Sequence, residues 1–294
     1  MSSFLYELAA GSDQVAALAA LLSIYAAAAV LSGLSGFGFS AIGCLSFAVL
    51  PPERAVAMLM ALSLVTQASG AAALRSDLRR YMLPLRRPDG VVPYLVGGVA
   101  GLPFGLALLS GLEIGELKAG LGGMLIGFAT WSLVQAPRAA ATAPTPTTSM
   151  PPAARSPSLP PTTAARRTPP PNAARSFIVG AAGGLVGGFS AFPGAALVVW
   201  NAIAGVGKEQ GRALTQAFIL AMQVVGLALL LARHSALFGA GFWALFITAA
   251  PLALVGNRIG IAIYKRSGSV AYRRVTLYAL GAAGMGLLVQ LALQ

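Results

Sequence analysis

Two glycine-rich stretches contain residue types suited to binding a small anion. Residues 32–40 read SGLSGFGFS and residues 183–194 read GGLVGGFSAFPG. Glycine lets the backbone turn sharply within an apolar segment, and a helix that restarts after such a turn presents N–H groups and its positive dipole end. Small residues also allow membrane helices to pack closely, so a helix interface is the alternative. The predicted anion-binding residues in the two stretches are Gly36, Gly38, Ser40, Gly188 and Ser190.

Glutamines inside apolar segments form the second group of candidate site residues. Gln67 and Gln223 each lie in the middle of an apolar segment, where an unsatisfied amide is costly. Their amides can donate to an oxyanion, or they can link helices by hydrogen bonds. Thr215 and Gln216 lie about two turns before Gln223 on the same helix, with Gln216 on the same face, and they extend this polar path. Arg212 is a candidate for collecting anions, with membrane anchoring as the alternative.

The remaining polar residues do not indicate catalysis. All eight Asp and Glu residues lie in loops or at segment ends, and the sequence contains no catalytic triad, phosphate-binding loop or metal-ligand cluster. The single cysteine, Cys44, lies in an apolar segment. The net charge of +12 comes from basic residues in short loops without interleaved aromatic residues, which does not favour nucleic-acid binding. We therefore predict neither an enzyme nor a cofactor, metal or nucleic-acid partner.

The composition indicates that these residues are positioned by membrane-spanning helices. Hydrophobic residues make up 57% of the chain and charged residues only 10%. Many apolar segments approach the length of about 20 residues that a helix needs to cross a bilayer. The sequence therefore predicts a multi-pass protein of the cell inner or plasma membrane. The clearest segments are 15–34, 55–74, 91–109, 117–134, 213–232, 237–264 and 275–293.

A linker rich in Pro, Ala and Thr divides the chain into two similar halves. Residues 137–175 contain little to bury, so we expect a disordered cytoplasmic linker between an N-terminal membrane repeat (1–136) and a C-terminal one (176–294). At an offset of 156, six residues match without a gap: Glu53, Ala57, Ala61, Leu64, Gln67 and Gly70 fall on Glu209, Ala213, Ala217, Leu220, Gln223 and Gly226. Upstream of this match, residues 33–36 resemble residues 184–187.

Basic residues indicate how often each half crosses the membrane. If each half crosses five times, the linker and residues 75–89, 207–212 and 265–274 lie on one side and contain 16 of the 20 Lys and Arg residues. If each half crosses four times, nineteen of these residues divide 11 to 8. The positive-inside rule favours five crossings, and an odd number inverts the second half relative to the first. The predicted fold is all-α, with about ten membrane segments as two inverted repeats of five with Gly-broken helices.

Several short motifs resemble one transporter family. They are residues 50–57 (LPPERAVA) after the first glycine-rich stretch, residues 205–208 followed by 212–215 (RALT), and residues 251–260 followed by an Arg pair at 273–274. In this order they resemble the TauE/SafE family of sulfite and organosulfonate exporters. The resemblance implies a sulfur oxyanion or small sulfonate as substrate, moved out of the cytoplasm, and it leaves proton coupling open.

The residues and the resemblance together give a functional expectation. We expect a secondary transporter that exports sulfite or an organosulfonate by alternating access, with a site near the membrane midplane between the two glycine-rich stretches. Import of a related anion is one alternative. A membrane scaffold without a transport role, in which the intramembrane polar residues only link helices, is another. The sequence does not indicate an oligomeric state.

Overall fold

The computed structural model describes residues 12–73, 90–140, 172–206, 208–266 and 269–293, and every regular element in these ranges is helical. Two 3-10 turns, Cys44–Ala48 and Ser235–Phe238, follow α2 and precede α9. The predicted linker falls largely on residues 141–171, which lie outside the described residues. The α-helices are α1 (Ser12–Ser35), α2 (Phe39–Gly43), α3 (Pro52–Ala73), α4 (Val92–Gly111), α5 (Ile114–Ala140), α6 (Ala173–Ser190), α7 (Gly194–Ile203), α8 (Lys208–Arg233), α9 (Ala240–Arg266) and α10 (Ser269–Ala292).

The helices have the length and surface expected of a membrane protein. Spans within α1, α3, α4, α8 and α9 are long and apolar enough to cross a bilayer, and shorter apolar stretches occur at Phe39–Ala48, Gly194–Ile203 and Leu277–Ala292. Large apolar side chains face outward, Phe104 and Ile247 being 70% and 66% exposed. Lipid accommodates such a surface, whereas water disfavours it. The prediction of an all-α polytopic membrane protein is confirmed.

Glycines bring α4 and α6 into backbone contact. A Cβ added to Gly101 would lie 2.1 Å from the carbonyl oxygen of Ala181, and one added to Gly184 would lie 2.0 Å from that of Gly98. These spacings exclude any side chain, so the helices approach closely only because glycine is present. Residues 183–188 therefore form mainly a helix interface, which was the alternative interpretation of this stretch.

The α1–α9 pair repeats this arrangement. A Cβ on Gly33 would lie 2.9 Å from the amide nitrogen of Ile261, and a Cβ on Gly256 would lie 3.2 Å from the Cβ of Ala29. Residue numbers rise together along both helices, so α1 and α9 run parallel. The α4 and α6 helices also run parallel, with residues 97 and 105 beside residues 177 and 185.

Two further pairs run antiparallel. Gly70 of α3 lies beside Gln216 of α8, whereas Gly226 lies beside Met60, so the numbers rise along one helix as they fall along the other. The same is true of α5 and α10, where residue 115 lies beside residue 291 and residue 281 lies beside residue 129. Each of these pairs joins two helices that occupy the same place in their own half of the chain.

Each half also contains one helix that ends at a serine and is followed by a sharp turn. After Ser35 of α1, Gly36 has a φ of 83°, and after Ser190 of α6, Ala191 has a φ of 55°. Both serine hydroxyls donate to the carbonyl four residues earlier, and both accept a hydrogen bond of 3.3 Å from the amide two residues later. The two turns are thus equivalent in conformation and bonding.

This equivalence differs from the match seen in the sequence. The turn at residues 35–37 corresponds to the turn at residues 190–192, and not to residues 184–187. Gly36 supplies a left-handed backbone conformation, whereas Gly187, with which the sequence match paired it, is helical and packs against Pro193. Matching Gly36 to Gly187 therefore aligned two residues with unlike roles.

Candidate functional site

The two serine turns meet each other inside the protein. The rings of Phe37 and Phe192, which follow the turn residues, stack with centroids 6.2 Å apart and planes inclined by 16°. The hydroxyl of Ser40 donates to the carbonyl oxygen of Ala191, the turn residue of the other half. The broken helices of the two halves are therefore in direct contact with each other.

A glutamine holds each turn from the long helix of the same half. The side-chain amide of Gln67 donates to the carbonyl oxygen of Gly36 at 2.9 Å, and that of Gln223 donates to the carbonyl oxygen of Ala191 at 3.0 Å. Both acceptors belong to the residue with positive φ. Gln216 donates to the main-chain carbonyl of Gln67 at 3.3 Å, which joins α8 to α3. The amides of Gln67 and Gln223 stabilise the two turns, because a buried carbonyl oxygen requires a hydrogen-bond donor.

An open cavity lies beside the first turn. It is bounded by the end of α1, the C-terminal part of α7 and the first turns of α8. Its remaining walls are small apolar residues of α7 and the segment that follows it. The residues that give the cavity its chemical character are Ser35, Gly36, Phe37, Asn201, Arg212 and Thr215.

Arg212 is a positively charged residue of the cavity lining, and not all of its N–H groups have a hydrogen-bond partner among the described residues. Its Nη2 donates to the carbonyl oxygen of Gly33 at 3.2 Å, and its guanidinium carbon lies 4.2 Å from the ring centre of Tyr264. These contacts fix the orientation of the planar group. Its Nε and Nη1 are buried and have no hydrogen-bond partner among the described residues. Nε and Nη1 lie on different edges of the guanidinium, so each has an N–H group that can donate to an anion oxygen.

Asn201 of α7 is the second polar anchor of the cavity. Its Nδ2 donates to the carbonyl oxygen of Gly211 at 3.2 Å and to Oγ1 of Thr215 at 3.1 Å. Its Oδ1 is buried and accepts no hydrogen bond from the described part of the chain. The residues that line the cavity thus include buried donors and a buried acceptor that have no partner in the described part of the chain.

The structure sorts the predicted site residues into two groups. Gly36 and Arg212 line the cavity. The amide of Gly38 donates to the hydroxyl of Ser35 at 2.9 Å, so it serves the turn, and Gly188 packs against α4. The other predicted residues are buried around the turns and bonded within the protein, namely Ser40, Gln67, Ser190, Gln216 and Gln223.

Sequence reasoning did not select three cavity residues: Ser35, Phe37 and Asn201. A signal for the first two was present, because the pattern Ser-x-Phe occurs at residues 35–37 and again at 190–192. Asn201 had a weaker signal as the one side-chain amide in the short apolar helix α7. Within the described residues, no group of three or more His, Cys, Asp or Glu side chains is placed to hold a metal ion.

Comparison with known proteins agrees with the resemblance seen in the motifs. A search of curated proteins and a search of solved structures each found no match. The family model described as "Sulfite exporter TauE/SafE" matches residues 21–287, from within α1 to within α10. The match includes both serine turns and every residue that lines the cavity.

Proposed function

We infer the function of this chain from its family, because it belongs to the sulfite exporter TauE/SafE family. We propose that it is a secondary transporter that exports sulfite or a small organosulfonate from the cytoplasm. The chain is a multi-pass membrane protein, and its proposed location is the inner or plasma membrane.

The observation that carries this proposal is the cavity around Arg212. A sulfur oxyanion has a negative charge and acceptor oxygens, which suit a guanidinium that still has unpaired N–H groups. Among the described residues that line the cavity, Arg212 is the only ionisable one, and it supplies the positive charge that an anion requires. The predicted role of Arg212 thus acquires a geometric basis.

Helix directions support the inverted-repeat part of the proposal. The equivalent helices α3 and α8 pack antiparallel, and so do α5 and α10. A two-fold axis that relates antiparallel helices lies perpendicular to them, and therefore in the membrane plane. Equivalent helices of the two halves run in opposite directions if each half crosses the membrane an odd number of times. This agrees with the five crossings per half that the charge distribution favours.

Alternating access follows from such symmetry if the two halves differ in shape. Thr215, which lines the cavity, is matched in the repeat by Leu59, which is fully buried in the core. The first half thus has packed side chains where the second half has a cavity. The positive-inside rule places residues 207–212 on the cytoplasmic side, so the cavity beside Arg212 opens to the cytoplasm. If the two halves exchange their conformations, the site opens to the other side of the membrane.

Export does not require a carboxylate relay. An inside-negative membrane potential drives each negative charge outward by about 2.3 kcal/mol per 100 mV. Proton coupling is a further option that the family resemblance leaves open. Import of a related anion and a scaffold role remain the alternatives, and a flux measurement separates all three.

The test is sulfite movement in liposomes that contain the purified protein. We expect efflux of loaded sulfite that depends on the protein, and Arg212→Gln should reduce it by about tenfold or more because a charge-assisted contact is lost. Arg258→Gln is the matched control, since Arg258 is exposed on α9 and does not line the cavity. Absence of protein-dependent flux, or equal effects of the two variants, would contradict the proposal.

A further inference from the structure

The orientation of the Asn201 amide is fixed by its partners. The carbonyl oxygen of Gly211 can only accept a hydrogen bond, so the side-chain atom that faces it is the nitrogen. The second bond from this nitrogen, to Thr215, leaves no donor on the amide without a partner. Oδ1 is therefore the one polar group of this cavity-lining side chain that has no partner among the described residues.

An unpaired acceptor at this position is costly unless a ligand satisfies it. Asn201 is only 7% exposed, and its Oδ1 accepts nothing from the described residues. Leaving a buried acceptor unsatisfied costs roughly 1–3 kcal/mol. An anion with oxygens alone does not supply a donor, and its negative charge would be repelled by the amide oxygen.

The charge of the cavity sets a second limit. One guanidinium among the described lining residues balances one negative charge. A dianion would leave one charge uncompensated in a site with otherwise neutral walls, which a low-dielectric environment disfavours. A monoanion is the better match.

These two limits together define the ligand, on the basis of the transport function proposed above. We propose that the site selects a monovalent sulfur oxyanion that also carries a hydroxyl group as a hydrogen-bond donor. The sulfur oxygens accept from an unpaired N–H group of Arg212, and the hydroxyl donates to Oδ1 of Asn201. Hydrogensulfite and hydroxyalkyl sulfonates have this chemistry, whereas sulfate and alkyl sulfonates lack the donor.

The experiment compares two ligands that differ in one group. Sulfite efflux from proteoliposomes is measured with increasing 2-hydroxyethanesulfonate or with propane-1-sulfonate, in which a methyl replaces the hydroxyl. We expect 2-hydroxyethanesulfonate to inhibit the wild-type protein at about fivefold lower concentration, the contribution of one neutral hydrogen bond. In Asn201→Ala this preference should disappear.

Asn257→Ala is the matched control for loss of a buried amide. Asn257 donates to the carbonyl oxygen of Thr66 and to the hydroxyl of Ser69, and it does not line the cavity. Its variant should keep the fivefold preference even if it is less stable, because the readout is a ratio measured on one protein. Equal inhibition by the two sulfonates, no inhibition by either, or an unchanged ratio in Asn201→Ala would overturn the proposal. Failure of the transport function itself would differ, since no sulfite flux would then be observed.

Discussion

Exchanging the two turn residues tests whether the serine turns have the conformation described. Gly36 has a φ of 83°, and Ala191 has a φ of 55°. An L-residue in this left-handed region costs about 1–2 kcal/mol relative to the right-handed helix, whereas glycine does not bear this cost. We therefore expect Gly36→Ala to lower the free energy of unfolding by about 1–2 kcal/mol. The reverse change, Ala191→Gly, should raise it by up to about 1 kcal/mol.

The Gly36 variant should also change transport. A Cβ at this position would lie 3.1 Å from Nε of Arg212 and 3.4 Å from its Cγ. The methyl group displaces the guanidinium or blocks one of its unpaired donors, so the sulfite concentration for half-maximal efflux should rise several-fold. Ala191→Gly removes a methyl without approaching Arg212 and should leave this concentration unchanged.

Two assays on purified protein decide the matter. Thermal unfolding in detergent reports stability, and sulfite efflux from proteoliposomes reports affinity. If Gly36→Ala is as stable as the wild type, Gly36 does not have the left-handed conformation described here. If its half-maximal sulfite concentration is also unchanged, Gly36 does not lie close to Arg212. A lower stability of Ala191→Gly would refute the strain argument for the second turn alone.

Three other predictions follow from the helix contacts. Gln67→Leu removes the donor to the first turn and should lower the maximal rate of efflux more than it changes the half-maximal sulfite concentration; an effect on affinity alone would instead make Gln67 a ligand. Gly101→Ala should destabilise the protein by about 1–3 kcal/mol through overpacking against α6, whereas Gly123→Ala, with no atom within 4 Å of the added Cβ, should be neutral or stabilising in thermal unfolding. A cysteine introduced at Lys265 and one in the linker should react with an impermeant reagent from the same, cytoplasmic face, and reaction from opposite faces would exclude the inverted repeat.

The membrane architecture was largely predictable because it depends on averages over many residues. Apolar segments near 20 residues long mark spans whatever their detailed packing, and α1, α3, α4, α8 and α9 satisfy this criterion in the structure. The central meeting of the two broken helices also agreed with the repeat. The sequence does not show which glycine forms a turn and which packs against a neighbouring helix, because both roles favour the smallest residue.

The site was only partly predictable because its chemistry depends on which polar groups already have partners. Gln67 and Gln223 have the right residue type for an anion site, yet each donates to a turn carbonyl of its own half. Oε1 of Gln223 lacks a partner among the described residues, as do polar atoms of Arg212 and Asn201, but only Arg212 and Asn201 line the cavity, which is a property of packing. No sequence pattern distinguishes a satisfied amide from an available one.

The most direct test of the central claim is the structure of the protein with a bound anion that scatters anomalously. Selenite is the selenium counterpart of sulfite and can be located from its anomalous signal after soaking or co-crystallisation. We expect a single strong peak in the cavity, within hydrogen-bond distance of the Arg212 guanidinium, and its loss in Arg212→Gln. A peak elsewhere, with the cavity of the wild-type protein empty at saturating selenite, would contradict the account.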